Sequence, residues 1–175
     1  MAQPVTTRLL MADADLCTGC RLCEVACVLE HEGFCHTGYA RLRIYTEEET
    51  GVDTPNVCMH CPDAPCEAAC PTAALWVDGK GVVQLNAPAC DGCGFCARDC
   101  PYGAIYFQPS GERIQKCDLC GGAPKCVEVC DTQALTFVER DQYDLIMARK
   151  RAEASAGGSK LKRAPYKITI DGLKT

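Results

Sequence analysis

The sequence predicts an α+β fold in which short β-hairpins and short helices form two similar modules, followed by a C-terminal extension. Three observations lead to this prediction. Cysteines recur in four groups of four, hairpin patterns lie between the groups, and large apolar side chains are scarce. Of the 175 residues, 17 are cysteine and only 6% are aromatic. Such a core is weak for its length, so bonds made by the cysteines are expected to supply part of the stability.

Strands are predicted where apolar residues alternate between turn signals. They lie at residues 8–12, 74–77, 82–85, 104–107, 112–115, 134–138 and 166–170. The middle four form two hairpins, because the turn sequences DGKG and PSG separate the members of each pair. The last strand is isolated in the sequence, so it is expected to pair with an edge of this chain or of a neighbour.

Helical spacing at residues 20–31 and 141–153 predicts two helices. The second helix carries a weak apolar stripe formed by Leu145, Ile146, Ala148 and Ala152. The run ASAGGS at 154–159 then predicts a flexible break before the terminal strand.

Sixteen of the cysteines form four groups, and Cys35 is left over. The groups are Cys17, Cys20, Cys23 and Cys27; Cys58, Cys61, Cys66 and Cys70; Cys90, Cys93, Cys96 and Cys100; and Cys117, Cys120, Cys126 and Cys130. The first and third groups have the spacing C-x2-C-x2-C-x3-C, and a proline follows the third group, as in bacterial ferredoxins. The second and fourth groups have longer loops before their third cysteine.

This spacing favours 4Fe-4S clusters over zinc. The iron corners of a cubane are spread over several ångströms, so one short loop supplies three thiolates and a remote cysteine supplies the fourth. Zinc usually takes two separated C-x2-C pairs, and a structural zinc protein is kept as an alternative. A disulfide scaffold is disfavoured, because the cysteine count is odd and no apolar export signal begins the chain. We therefore expect a reduced, cytoplasmic, iron–sulfur protein.

Charge is distributed unevenly along the chain, whose net charge is −5. Residues 1–139 carry 9 Lys/Arg against 19 Asp/Glu, whereas residues 140–175 carry 9 against 4. The acidic body argues against nucleic acid as a partner. The basic residues of 160–175 are either a solvated end or a docking arm for an acidic surface. No apolar run of 18 residues exists, so no direct membrane span is expected.

The runs VCMHCPDAPCEAACP and CDGCGFCARDCPYGAI resemble those of the four-cluster iron–sulfur subunits of molybdenum and tungsten oxidoreductases. These are subunits of the dimethyl sulfoxide reductase type, with related hydrogenase and formate dehydrogenase polyferredoxins. The resemblance covers about residues 8–140, and the short chain is most similar to the separate polyferredoxin subunit of tungsten aldehyde oxidoreductase complexes. It implies one ferredoxin-like module from 1–57 with 108–140, a second from 58–107, and a helix with a docking extension at 141–175.

The same resemblance implies four 4Fe-4S clusters, with the fourth cysteine of each group serving the partner group. The implied ligand sets are Cys17, Cys20, Cys23 and Cys130; Cys117, Cys120, Cys126 and Cys27; Cys58, Cys61, Cys66 and Cys100; and Cys90, Cys93, Cys96 and Cys70. The chain would then be a non-catalytic electron-transfer subunit, with the first/fourth-group module facing a large tungsten or molybdenum subunit. A flavoprotein, a ferredoxin, a hydrogenase or a further copy of the chain would be the second redox partner.

No site for substrate chemistry is visible among the remaining residues. Cys35 is expected to be a spare thiol, with a metal or redox role as the alternative. His60 lies inside the second cysteine group, where it shapes the loop or donates a hydrogen bond near a cluster. A free-standing polyferredoxin carrier is the alternative function, because an acidic body suits transient electrostatic encounters.

Overall fold

The structure is a computed structural model and describes residues 7–156. The strands are β1 (Arg8–Ala12), β2 (Arg43–Glu47), β3 (Val52–Asn56), β4 (Leu75–Val77), β5 (Val83–Leu85), β6 (Ile105–Phe107), β7 (Ile114–Lys116) and β8 (Leu135–Glu139). The helices are α1 (Leu22–Glu32), α2 (Pro65–Ala68), α3 (Phe95–Arg98), α4 (Lys125–Glu128) and α5 (Arg140–Ala156). Within residues 7–156, the strands form four separate antiparallel pairs. The α+β prediction is confirmed.

The strand pair β1–β8 joins the two ends of the cysteine-rich region. Its register places Leu9 opposite Val138, and the next pair is Leu10 with Phe137. Leu9 and Leu10 are both fully buried, so this short pair contributes directly to the core. The first cysteine group follows β1 and the fourth precedes β8, and the pairing therefore brings these two groups side by side. Helices α1 and α4 pack against each other in the same region.

The two predicted hairpins in the middle of the chain are confirmed as β4–β5 and β6–β7. Each hairpin follows the last cysteine of a group, and their inner side chains form a compact second core with helices α2 and α3. The core residues of the hairpins are Leu75, Val83, Ile105 and Ile114. A separate core beneath β1, β8 and α1 includes Leu10, Val28, Leu42 and Leu135. Both cores also contain cysteines, as expected for a chain with few large apolar side chains.

The hairpin β2–β3 was not expected from the sequence. It has a tight turn at Gly51, whose positive φ of 66° suits glycine. The segment RLRIYTE does alternate, but its outward residues are charged and its inward residues are few, so the signal is weak. Ile44 is its buried anchor. Helix α1 ends nearby because Gly33 adopts a left-handed conformation and its N–H bonds to the carbonyl of Leu29 at 3.2 Å.

Helix α5 extends beyond its predicted end, so the first part of the predicted break at 154–159 is helical. The remainder of that break, the strand at 166–170 and the arm at 160–175 lie outside the described residues. The predicted stripe on α5 is mostly wrong, because Leu145 is 72% exposed and Ala148 and Ala152 are exposed. The face that is partly buried instead contains Tyr143, Ile146, Met147 and Lys150. Among residues 7–156, no helix has the length and apolar character needed to cross a bilayer.

Candidate metal-cluster sites

The four cysteine groups share one backbone conformation. In every group, the residue just before the second cysteine has a positive φ of between 44° and 72°. These residues are Gly19, His60, Gly92 and Leu119. A left-handed conformation costs a residue with a Cβ about 1–2 kcal/mol, so histidine and leucine at these positions indicate a conformation imposed by their surroundings. The repeat therefore concerns loop shape as well as cysteine spacing.

Two further positions repeat in the same way. The residue two before the third cysteine has a positive φ in three groups, namely Arg21, Ala64 and Gly94. The corresponding residue of the fourth group is Pro124, whose ring holds φ at −66°. The third residue after the last cysteine of the group also has a positive φ at Ala73, Gly103 and Gln133. The chain thus curls around each group through a succession of left-handed residues.

Two cavities are each lined by four thiols. One has about 330 Å³ of empty space open to solvent and is lined by Cys17, Cys20, Cys23 and Cys130. The other has about 270 Å³ and is lined by Cys70, Cys90, Cys93 and Cys96. In both, three thiols come from one group and the fourth comes from another.

The remaining eight thiols lie close enough to one another for charge on one to change the pKa of another. Burial raises the pKa of Cys126, and negative charge on Cys27 and Cys120 raises it further. Burial raises the pKa of Cys117, and Cys126 is among the charges that add to this effect. The pKa of Cys61 and that of Cys66 are likewise raised, first by burial and then partly by charge on Cys58 and Cys100. The structure thus brings two of the implied sets, those of Cys17 and Cys90, to two cavities. The other eight thiols also act across set boundaries, since charge on Cys58 raises the pKa of Cys117 and charge on Cys23 raises that of Cys126. The division of these eight into two sets stays a prediction.

Burial is the main electrostatic influence on these thiols. It raises the pKa of Cys23, Cys66 and Cys126 to about 12. The pKa of Cys27 and Cys96 is raised to about 11 for the same reason. All 17 cysteines are free of disulfides. Without metal, these five thiols, whose pKa is raised to about 11 or 12, are therefore neutral at pH 7. A coordinating metal, by contrast, deprotonates a thiol outright.

Backbone amides and hydroxyls surround the sulfur atoms. The N–H of Arg41 donates to Cys27 at 3.3 Å, and the N–H of Leu135 donates to Cys130 at 3.4 Å. The thiols that end two of the groups also lie near threonine hydroxyls, at 3.6 Å for Cys70–Thr72 and 3.8 Å for Cys130–Thr132. Hydrogen bonds to cluster sulfurs and thiolates tune the reduction potential of an iron–sulfur centre.

A polar group of three residues surrounds Cys120. The Nε2 atom of His31 lies 3.5 Å from the sulfur of Cys120 and 3.5 Å from a carboxylate oxygen of Asp118. Asp118 also forms a 2.6 Å ion pair with Arg41. Burial, followed by the charge of Arg41, lowers the pKa of His31. Sequence analysis missed this arrangement, because nothing in the local sequence places His31 beside a cysteine 89 positions away.

The surroundings of His60 fit the expectation that it shapes its loop, and the exposure of Cys35 fits the expectation of a spare thiol. His60 is fully buried, and its Nδ1 accepts a hydrogen bond of 3.1 Å from the N–H of Val83 in β5. Burial lowers the pKa of His60 to about 2, so the ring is neutral and fixes the loop of the second group against the hairpin. Its Nε2 has no hydrogen-bond partner among the described residues. Cys35 is exposed and stands apart from the four sets.

The donor chemistry fits iron–sulfur clusters. Each set offers four sulfur ligands, which is the usual complement of a 4Fe-4S cluster. The rest of the lining is largely apolar, with Ile44, Pro55, Val129 and Leu135 at one cavity. At each of the two cavities, three thiols come from one curled loop and the fourth comes from a distant segment, which is the arrangement that a cubane requires. A zinc site would need only a tetrahedron of sulfurs about 2.3 Å from the metal.

Comparison with known proteins gives one family and several relatives. Residues 50–140 match the 4Fe-4S dicluster domain. The polyferredoxin-like subunit of the aliphatic sulfonate oxidoreductase of Pyrococcus furiosus is 47% identical over 133 residues, covering 74% of this chain and 76% of the relative. The electron transport protein HydN of Escherichia coli is 36% identical over 169 residues, covering 82% and 95%. The thiosulfate reductase electron transfer subunit PhsB of Salmonella typhi is 32% identical over 152 residues, covering 78% of each chain.

Proposed function

Because the chain belongs to the 4Fe-4S dicluster family, we propose that it is the electron-transfer subunit of an oxidoreductase complex and carries four 4Fe-4S clusters. It binds iron–sulfur clusters and relays electrons, and it is not itself the catalytic subunit. The count of four is supported by the sixteen cysteines in four groups of the sequence, eight of which line two cavities in sets of three plus one.

We assign the ligands according to these sets. Cluster 1 is held by Cys17, Cys20, Cys23 and Cys130; cluster 2 by Cys117, Cys120, Cys126 and Cys27; cluster 3 by Cys58, Cys61, Cys66 and Cys100; and cluster 4 by Cys90, Cys93, Cys96 and Cys70. Each cluster, when bound, supplies a one-electron carrier with a potential between about −700 and +450 mV. The protein supplies apolar burial and N–H donors, which set where in that range each potential falls.

The order of the clusters along the relay is 1–2–3–4. Charge on Cys23 acts on the thiol of Cys126, which supports contact between the ligand sets of clusters 1 and 2. Charge on Cys58 acts on the thiol of Cys117, which supports contact between the sets of clusters 2 and 3. This order fits the two proposed ferredoxin-like modules, 1–57 with 108–140 and 58–107; of the third segment, 141–175, the structure describes only the part that belongs to helix α5.

The partner of cluster 1 in this proposal is a large catalytic subunit with a tungsten or molybdenum cofactor. Two of the relatives are named as subunits of oxidoreductases, one acting on aliphatic sulfonate and one on thiosulfate. Cluster 4 would then exchange electrons with a flavoprotein, a ferredoxin, a hydrogenase or a further copy of this chain. The acidic body disfavours nucleic acid. The proposal includes a cytoplasmic location, because thiols that bind iron must stay reduced.

Anaerobic purification from the native host tests the proposal. We expect about sixteen iron and sixteen sulfide atoms per chain, from four clusters. We also expect a large cofactor-containing subunit to remain bound in moderate salt. About four zinc ions without iron would overturn the cluster proposal.

The alternative, a free-standing polyferredoxin carrier, is favoured by HydN, which is named an electron transport protein without an enzyme complex. A fully loaded chain that purifies alone, and whose electron delivery falls steeply with salt, would establish that alternative. A truncated chain ending at residue 159 separates assembly from cluster binding. If 160–175 is the docking arm, iron content stays intact while association with the partner weakens.

A further inference from the structure

Lys116 is a buried lysine at the boundary between the two modules. It is the last residue of β7 and directly precedes Cys117, a ligand assigned to cluster 2. Only 2% of Lys116 is exposed, and no other lysine or arginine is buried among the residues that the structure describes. Lysines are almost never fully buried unless they are paired with an anion, so this side chain calls for a specific explanation.

The ammonium group of Lys116 has polar neighbours but no carboxylate partner. Its Nζ donates hydrogen bonds of 2.6 Å to the carbonyl oxygens of Val83 and Cys117. Within residues 7–156, no carboxylate forms an ion pair with it. Two carbonyl groups satisfy two of its three donors but leave its charge uncompensated. Removing an ion from water without an opposite charge carries a large penalty, so an anion is expected close by.

Apart from Asp78 and the thiols, the groups that face this site carry no negative charge, and within residues 7–156 Asp78 forms no ion pair with Lys116. His60 supplies no negative charge, because an imidazole is either neutral or cationic, and its Nδ1 accepts a hydrogen bond from the N–H of Val83. A second cation, Arg140, donates to the carbonyl oxygens of Met59 and His60 and adds to the positive charge near the second cysteine group. Asp78 also acts on His60, but its carboxylate is engaged by Gln84 and by the turn of its own hairpin.

Sulfur ligands of two different clusters remain as the source of negative charge. After burial, the charge of Lys116 is the largest effect on the thiol of Cys66, whose pKa it lowers. The same charge also lowers the pKa of Cys117, although burial dominates there. Cys66 is assigned to cluster 3 and Cys117 to cluster 2. Lys116 therefore lies where the ligand sets of the two middle clusters meet.

We propose that Lys116 is the shared counter-cation of clusters 2 and 3 and that it raises the reduction potentials of both. An oxidised 4Fe-4S core with four thiolates has a net charge of about −2, and one added electron makes it about −3. A fixed positive charge stabilises the more negative state more strongly, and the low dielectric of the interior increases this difference. No bond forms or breaks and no proton moves; Lys116 acts only by position and charge. This inference rests on the ligand sets proposed above.

The charge of Lys116 affects electron transfer through clusters 2 and 3, the two middle clusters of the relay. Raising the potentials of clusters 2 and 3 lets them accept an electron from either end of the chain. Because one lysine acts on both clusters, it shifts their two potentials in the same direction. Lys116 thus places a positive charge beside the two clusters and does not bind iron, which is the role of the cysteines.

The test uses the complete, anaerobically purified chain and a redox titration monitored by electron paramagnetic resonance. In Lys116→Met, we expect the ratio of reduced to oxidised cluster at a fixed potential to fall at least tenfold for two of the four clusters. A tenfold change corresponds to 59 mV for one electron. Lys116→Arg keeps the charge and should match the parent. Lys80→Met removes the same charge from an exposed turn and should also match the parent.

Iron and sulfide contents are measured for every variant, and they separate the possible outcomes. Fully loaded Lys116→Met with four unchanged potentials overturns the proposal. If the Met variant loses iron, Lys116→Gln separates the effect of the charge from that of the hydrogen bonds. The amide of glutamine can still donate to carbonyl oxygens but carries no charge. Parent-like potentials in Lys116→Gln overturn the proposal. Lowered potentials, or a loss of iron that Lys116→Arg does not show, support it. A parent chain with far fewer than about sixteen iron atoms would instead refute the proposed function itself.

Discussion

The carboxylate of Glu24, in the first turn of α1, accepts a hydrogen bond of 2.8 Å from the backbone N–H of Ile44 in β2. Glu24 is only 2% exposed, and Ile44 is also buried. The bond joins the helix of the first cysteine group to the hairpin β2–β3. It therefore supports the wall of the cavity at cluster 1, which Ile44 lines.

Replacing Glu24 by alanine should destabilise this junction. The variant Glu24→Ala leaves the N–H of Ile44 buried without an acceptor, which costs about 1–3 kcal/mol. The loaded protein should then lose its visible iron–sulfur absorption at a lower temperature than the parent. Glu24→Gln keeps an oxygen acceptor and should lose less. Glu30→Ala changes an exposed residue of the same helix and should differ from the parent by no more than about 0.5 kcal/mol.

The crossed ligand sets predict which cysteines act together. Cys130→Ser should alter the same cluster as Cys17→Ser, although Cys130 belongs to the fourth group in the sequence. Each variant should lose about one quarter of the iron, or convert one cluster to a three-iron form, because only one set is incomplete. Electron paramagnetic resonance of the two variants should show the same missing signal.

Cys35→Ser is the control for this experiment, since Cys35 is an exposed cysteine outside the sets. It should retain all the iron of the parent. Loss of different clusters in Cys130→Ser and Cys17→Ser would contradict the crossed assignment.

A methyl group at Gly92 should disrupt the site of cluster 4. Gly92 has a φ of +72°, and a Cβ at this position would clash with the carbonyl oxygen of Glu112. The left-handed conformation alone costs about 1–2 kcal/mol for alanine. Gly92→Ala should therefore lower the thermal stability of the loaded protein and its iron content. Gly79→Ala has no neighbouring atom within 4 Å of the added Cβ, and it should behave as the parent.

Cluster assembly should become more favourable as the pH rises. Burial raises the pKa of Cys23, Cys66 and Cys126 to about 12, so these groups must lose protons when they bind iron. Between pH 6.5 and 8.5 the groups stay protonated without metal, and each proton released favours binding tenfold per pH unit. Reconstitution in weakly buffered solution should acidify the medium. Assembly yields independent of pH over this range, with no proton release, would contradict the prediction.

The sequence predicts the metal chemistry well because cysteine spacing is a local property. Cubane binding follows from three cysteines in one short loop, and this holds whatever the rest of the chain does. The partner of each loop is a long-range property, and only the resemblance to a known family indicated that Cys130 joins Cys17. The structure places both thiols at one cavity.

Other features could not be predicted because they depend on which surfaces meet. Lys116 ends the short strand β7, where a lysine would be expected at the surface, yet it is buried with its Nζ donating to the carbonyl oxygens of Val83 and Cys117. His31 and Asp118 approach each other only after α1 packs on the fourth group. On α5, Leu145 and Ile146 are adjacent apolar residues, and only the direction of the helix decides that Ile146 faces the body.

The pairing of β1 with β8 has a consequence for the biosynthesis of the molecule. Arg8 pairs with Glu139, so the first strand of the described region must wait for the last one to be translated. The segment from Cys58 to Cys100 contains all the ligands proposed for clusters 3 and 4, and the core around it is complete once β7 has been translated, before β8. Contacts between distant segments form late. Iron delivered during translation would therefore enter the molecule from its centre outwards, and the site of cluster 1 would be completed last.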